Sequence, residues 1–301
     1  MSAPEVYDHD NLPDGVTMLI PAREKDLGGF HVRRVLPFAR QRMIGPWTFF
    51  DHMGPADFAP GIGINVRPHP HINLATVTYL FSGNILHRDS LGTRSVIAPG
   101  DINLMVAGHG IVHSEREEDE AIATARHLDG LQLWLALPET DEETDPAFYH
   151  YAAGDIPAFN DNGVAVRVMM GQAYGLKSPV KTFAETLYAE ARMKGGRRLQ
   201  APMGVEMRAI YVCSGELGVE GLRVKAYEMA VLEPKAHVRL EALSPEVHFV
   251  IIGGEPLGER HIYWNFVSSR LDRIEQAKAD WKEGRFPKVP GDEVEFIPLP
   301  E

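Results

Sequence analysis

The sequence is short of three things, and each shortage removes a class of protein. It has one cysteine, Cys213, so no internal disulfide can form and a reducing cytoplasm is the expected compartment. Cys213 lies in the apolar run Ile210-Tyr211-Val212-Cys213, which reads as a small core residue rather than a nucleophile. Positive charge is also scarce. Thirty basic residues face 42 acidic ones, for a formal charge of -12 and a pI near 5.5. That sign repels a phosphate backbone, so direct nucleic acid binding is not expected. Finally, no stretch approaches the ~20 apolar residues of a membrane helix. Residues 1 to 15 are polar and lack the basic start and apolar core of a signal peptide. A soluble, unexported chain with no membrane segment is the expectation.

What remains is a globular composition, 44% hydrophobic and 24% charged over 301 residues, enough for two ordinary domains. The stretch from Arg67 to Glu118 organises the rest. It contains two H-x-[HE] pairs, His69 with His71 and His113 with Glu115. In a strand, residues i and i+2 share a face, so each pair offers two donors on one side, and adjacent strands would bring four together. Three imidazoles and a carboxylate suit a first-row divalent ion such as iron, nickel, manganese or zinc, with positions left open for water or substrate.

The residues between the pairs support strands. Thr76, Val77, Thr78, Tyr79, Leu80 and Phe81 favour β structure, and Ser82-Gly83-Asn84, Pro99-Gly100-Asp101 and Gly108-His109-Gly110 make turns. Short strands at this spacing predict a β-sandwich or barrel. Any one of the 13 histidines alone would read as a surface or satisfied core residue. Two alternating pairs across a strand-turn-strand unit are a far rarer coincidence.

The run H-P-H-I-N-L-A-T-V-T-Y-L-F-S-G, followed by P-G-D-I-N-L-M-V-A-G-H-G-I-V-H-S-E, closely resembles the pirin family of the cupin superfamily. The flanking stretches Val32 to Pro37, Gly45-Pro46-Trp47 to His52, Gly130 to Pro138 and Trp264-Asn265-Phe266-Val267 agree, so the likeness spans nearly the whole chain. It implies an all-β bicupin, two cupin barrels of the double-stranded β-helix type, with iron(II) held in the first by His69, His71, His113 and Glu115. Nickel, manganese, zinc or copper are the alternatives to iron. The resemblance also implies one of two activities. One is a quercetinase-like dioxygenase opening a flavonol, a small aromatic enolic substrate, with O2. The other is a regulator of a protein partner. Three positions depart from the pattern. Ala75 stands where a generic cupin has its glutamate, Asn73 where many relatives have Gly, and His109 where many have Arg, a lost charge expected beside the mouth of the site.

In chain order, Met18-Leu19-Ile20 and Phe30 to Leu36 read as the first strands, with a turn around Gly28-Gly29. Arg33 and Arg34 read as solvated edge residues first, with a catalytic or anion-binding pair as the alternative. Trp47 to Phe50 is a buried strand, and Asp51 and His52 are candidates for stabilising a loop or the metal's surroundings. Pro68 and Pro70 flank His69 and predict an edge strand or barrel mouth. His87 is the next polar candidate for the pocket. Arg116 to Glu120 reads as a solvated charge run. The acidic segment Pro138 to Pro146 is the expected linker between a metal-binding barrel over 1–138 and a second barrel over 146–301.

The second half repeats the strand pattern: Val164 to Met170, Thr182 to Ala191, Gly204 to Cys213, Gly218 to Val224, Met229 to Leu232, His237 to Leu240 and His248 to Ile252. His237, His248 and His261 have no i+2 partner, so one metal per chain is expected. Ser268 to Glu283 predicts a helix capped by Ser269 and stopped by Gly284, with an extended proline-bearing tail after it. Among functions, a dioxygenase using Glu115 as both ligand and base is read first. An open apolar pocket favours it, whereas a sealed one favours the regulator.

Overall fold

The computed structural model describes residues 12–26 and 31–300. The expected turn at Gly28-Gly29 lies outside them, as do residues 1–11. The chain is all-β, with two cupin barrels and a C-terminal helix. By contacts it divides into two compact units, each built from segments distant in sequence.

One unit comprises Glu24–Leu36, Trp47–Asp155 and Leu257–Glu301. It pairs a seven-stranded and a four-stranded antiparallel sheet. The larger runs in the spatial order Ala147–Tyr151, Ile102–Val106, Leu74–Ser82, Arg126–Ala136, Trp47–Phe58, His31–Leu36, Arg23–Asp26. The smaller runs Val66–His71, Ile111–Arg116, Ile85–Asp89, Arg94–Ile97. Val32, Met53, Phe58, Ile64, Leu80, Ile85, Ile97 and Leu128 form one apolar cluster within this unit.

The other unit comprises Met1–Arg23, Pro37–Pro46 and Ile156–Pro256, and repeats the seven-plus-four arrangement. Its interior is filled by apolar side chains such as Val166, Ala189, Ile210, Val212, Leu217, Val238, Leu240, Phe249 and Ile251. Among the described residues, the one group of three or more His, Cys, Asp and Glu that could hold a metal ion lies in the unit that contains Trp47–Asp155.

The linear division into 1–138 and 146–301 therefore differs from the division by contact. Strand pairing is the reason: Val16–Pro21 pairs with Glu228–Leu232, so the chain's early segment belongs with the later barrel. The last 45 or so residues belong to the unit that contains Trp47–Asp155, where Ile72, Phe266, Ile274 and Ala277 pack together. Pro138 to Pro146 does not behave as a free linker. The buried Glu142 carboxylate accepts from Ser269 N at 2.7 Å and Ser269 Oγ at 2.8 Å. Arg260 Nε lies 3.1 Å from it, in ion-pair contact though off the hydrogen-bonding axis.

The helix spans Leu271–Lys282. Arg270 occupies its N-cap, with no side-chain cap, because the Ser269 hydroxyl is spent on Glu142. Ile274 and Ala277 form its buried face and Leu271 stays 57% exposed, so the apolar stripe is narrower than the sequence suggests. Gly284, at φ 67°, terminates it as a left-handed C-terminal residue. The tail then folds back over its own unit: Trp281 Nε1 donates to Ile297 O at 3.0 Å, and Ile297 N donates to Pro68 O at 2.9 Å.

Candidate metal centre

Val66–His71 is the edge strand of the four-stranded sheet, as its prolines require. It pairs antiparallel with Ile111–Arg116, which sets His113 directly opposite His69. His71 shares a face with His69 by strand alternation. Ring centroids lie 5.1 Å apart for His69 and His71, 4.3 Å for His69 and His113, and 5.0 Å for His71 and His113. One ring nitrogen from each falls within 4.8 Å of the others, a group that could hold a metal ion.

The rings are oriented by the backbone behind them. His69 Nδ1 donates to Arg67 O at 2.9 Å and His71 Nδ1 to Asn265 O at 3.1 Å, which leaves each Nε2 lone pair for an ion. His71 Nε2 and His113 Nε2 are 3.1 Å apart. Two nitrogens each ~2.1 Å from one ion at a right angle would be separated by about that much. Burial favours the uncharged imidazole throughout. It lowers His69 from the ordinary 6.5 to about 4, against the pull of the Arg67 carbonyl. His71 and His113 are held well below the ordinary range by burial first and by their neighbouring histidines second. Neutral imidazoles are the form a metal requires.

Glu115 is also buried, and burial alone raises its carboxyl from 4.5 to about 7. Its carboxylate has no hydrogen-bond or ion-pair partner among the described residues. A buried acid without a cation beside three neutral imidazoles is a donor set that fits a divalent ion. The 4.8 Å group itself comprises the three histidines and does not include Glu115. Glu115 does line the same cavity as His69 and His71.

That cavity measures about 410 Å³. Beside the histidines and Glu115 its walls are mostly apolar and aromatic, with Phe49, Trp134, Trp264 and Ile297 prominent and Arg34, Asp51, Gln132 and Asn265 the polar exceptions. Phe49 and Trp134 stack at 4.0 Å and 12°. Trp134 meets His71 edge-on at 5.0 Å. Trp264 adopts a left-handed φ of 52°, a costly conformation for a bulky residue and one often found beside functional sites.

The other candidates separate. His87 is buried, 3.0 Å from Asp89 Oδ2, with its ring 5.3 Å from His113 and stacked on Phe148 at 4.5 Å. It backs the site rather than lining the cavity. Arg34 lies inside the cavity, bound to Asp51 by two 2.8 Å hydrogen bonds, so neither is a solvated edge residue. Arg33 instead donates to Gly54 O. His52 is buried against Asp129 at 2.7 Å, away from the cavity lining. His109 is about half exposed, 3.4 Å from Asp145, and absent from that lining, so its expected place at the mouth is corrected. Asn73 is buried at φ 56°, in the left-handed region that Gly and Asn adopt most readily. The charge run is only partly solvated: the Glu117 carboxylate is buried against Arg126 and accepts from Ile64 N at 2.7 Å. Cys213 is buried and free of disulfides.

Sequence reasoning missed Phe49, Gln132, Trp134 and Ile297 as cavity residues. The first three carried a usable signal, since each lies on a strand whose alternate residues face inward. Ile297 carried none, because its place depends on the tail folding back.

A pair of seven-plus-four β-barrels, one with an apolar core and the other with a three-histidine group beside a cavity, defines a bicupin whose first barrel could hold a metal ion. The chain belongs to the pirin family: the Pirin model matches residues 29–135 and the Pirin C-terminal cupin domain model residues 188–287. It is 47% identical to a pirin-like protein of Caulobacter vibrioides, over 95% of this chain and 100% of that protein. Human pirin is 32% identical over 90% of this chain and 93% of its own. The crystal structure of a quercetin 2,3-dioxygenase from Acinetobacter baumannii superposes with a TM-score of 0.87 and 32% identity, covering 94% of this chain and 95% of that one.

Proposed function

We propose that this protein is a metal-dependent dioxygenase that opens flavonol-like enolic phenols with O2. In this reading His69, His71, His113 and Glu115 hold one ion, iron(II) in first place and nickel, manganese, zinc or copper otherwise. The observation that carries the reading is the 410 Å³ aromatic-walled cavity that reaches His69, His71 and Glu115. That volume falls in the roughly 300–1,000 Å³ range of small-molecule sites. Likeness to the Acinetobacter dioxygenase supports the substrate class.

When bound, the ion supplies Lewis acidity toward an enolic oxygen and redox chemistry toward O2. The protein's residues do the rest. Phe49 and Trp134 offer a stacked aromatic wall for a flat substrate. Met53, Ile64, Val66, Ile85 and Ile297 limit water near reactive species. Glu115 takes the proton of the substrate's enolic hydroxyl. Burial makes its carboxylate a better acceptor than an exposed one, a cation beside it works in the opposite direction, and proton uptake is therefore coupled to ion binding.

The test is Glu115→Gln, which keeps an oxygen donor of similar size but removes the basic carboxylate. Metal should be retained at reduced affinity while turnover falls by roughly 10²-fold or more, the scale of a lost general base. Undiminished turnover in a fully loaded variant would remove Glu115 from the base role. Absence of turnover in loaded wild type would favour the second reading, a metal-dependent regulator of a protein partner.

A further inference from the structure

Three of the polar residues lining the cavity, Arg34, Asp51 and Gln132, stand in one line across neighbouring strands. On the strands His31–Leu36, Trp47–Phe58, Arg126–Ala136 and Leu74–Ser82, Arg34 pairs with Asp51, Asp51 with Gln132, and Gln132 with Thr78. They form one polar rung across four neighbouring strands of the larger sheet. Hydrogen bonds close each half of it: Arg34 Nε and Nη2 donate to Asp51 at 2.8 Å each, and Thr78 Oγ1 donates to Gln132 Oε1 at 2.8 Å. Asp51 and Thr78 are buried, whereas Arg34 and Gln132 are half-buried and reach the cavity.

The rung two residues further along is aromatic. Trp134 pairs with Phe49 on one side and Thr76 on the other, and its ring meets His71. Two residues of strand advance about 7 Å. The cavity is therefore graded, from the histidines through a flat aromatic step to a polar step. Arg34 spans the last two, with its guanidinium carbon 4.4 Å from the centre of the Phe49 ring.

We propose that this polar rung is a subsite for a neutral hydroxyl on the substrate, read chiefly by Gln132, and that it sets which planar aromatic ligands the cavity accepts. The proposal rests on the flavonol reading above and deepens it. Thr78 engages one polar atom of the Gln132 amide, and whichever way the amide faces, the other has no partner among the described residues. A phenolic hydroxyl both donates and accepts, so it satisfies either orientation. The Arg34 charge is matched by Asp51, so the rung carries no net charge to attract a carboxylate or sulfonate. A ligand with an apolar ring here would leave the amide dehydrated and unpaired.

The test is a binding measurement that needs no turnover. Dissociation constants are read from tryptophan fluorescence for metal-loaded protein without O2, using quercetin and 3-hydroxyflavone. The second compound keeps the enolic chelating edge and the aromatic frame but lacks every other hydroxyl. Wild type should prefer quercetin by about tenfold or more, the scale of one well-made buried hydrogen bond. Gln132→Leu should bring the two affinities within about threefold by weakening quercetin and sparing 3-hydroxyflavone. Gln132→Met, matched in length, serves where the leucine variant does not fold. Equal affinities in wild type, or an unchanged preference in the variants, would overturn the subsite while leaving the dioxygenase reading intact. Failure of both flavonols to bind would overturn the subsite and the dioxygenase reading together.

Discussion

His71 and His113 meet with ring nitrogens 3.1 Å apart inside a barrel whose folding does not need them, since the surrounding clusters are apolar. Replacing either by Ala should therefore strip most of the metal while far-ultraviolet circular dichroism stays unchanged, and full occupancy by elemental analysis would exclude the assignment. Metal-free protein should also show a characteristic pH dependence. His69, at about 4, and His71 and His113, both held well below the ordinary range by burial, resist protons that the unfolded chain accepts below 6.5. Stability is thus lost as pH falls through that value. Glu115, raised to about 7, has the opposite sign: its contribution is present below 4.5 and fades as pH rises through 7. Three groups outweigh one, so the melting temperature of metal-free protein should drop between pH 6.5 and 4.5, and less steeply in His71→Ala. A flat profile would contradict the burial argument. The meeting of the three histidines was legible in the sequence because alternation puts i and i+2 on one face. The joining of Arg34, Asp51 and Gln132 into one rung was not, because cross-strand register is invisible in a single strand.

At the level of elements, the residues that read least well are those whose partners lie far along the chain. Glu142 looked like part of a polar linker, yet it accepts from Ser268, Ser269 and lies against Arg260. Both Glu142 and Arg260 are almost fully buried, so Glu142→Ala leaves a guanidinium uncompensated and should cost about 3–5 kcal/mol. Chemical denaturation would check it, and a loss below ~1 kcal/mol would contradict it. Asn73 gives a second test. At φ 56° its side-chain amide donates to Glu142 O at 2.5 Å and Glu143 Oε1 at 2.9 Å. Asn73→Ala loses both bonds and keeps the strained backbone, for about 1–3 kcal/mol, whereas Asn73→Gly recovers the backbone part. The strand Val66–His71 was the reverse case: Pro68 and Pro70 announced an edge because they cannot donate to a ladder. The helix was legible from its spacing and Gly284, but not its cap, since Ser269 is drawn away by Glu142.

For the whole molecule, repetition of short β-favouring runs and glycine turns was enough to expect two barrels, and the family resemblance supplied their type. What remained hidden was the exchange of segments between them, because pairing Val16–Pro21 with Glu228–Leu232 spans most of the chain. The formal charge of -12 belongs to this scale and predicts only weak binding to duplex DNA. Salt-sensitive binding tighter than ~10⁻⁶ M at physiological ionic strength would contradict that. The central claim, turnover at the cavity beside His69, His71, His113 and Glu115, is tested most directly by measuring iron content and flavonol-dependent O2 consumption side by side. O2 uptake should rise in proportion to iron loading and match flavonol loss one for one. Iron-loaded protein that binds flavonol yet consumes no O2 would contradict the account.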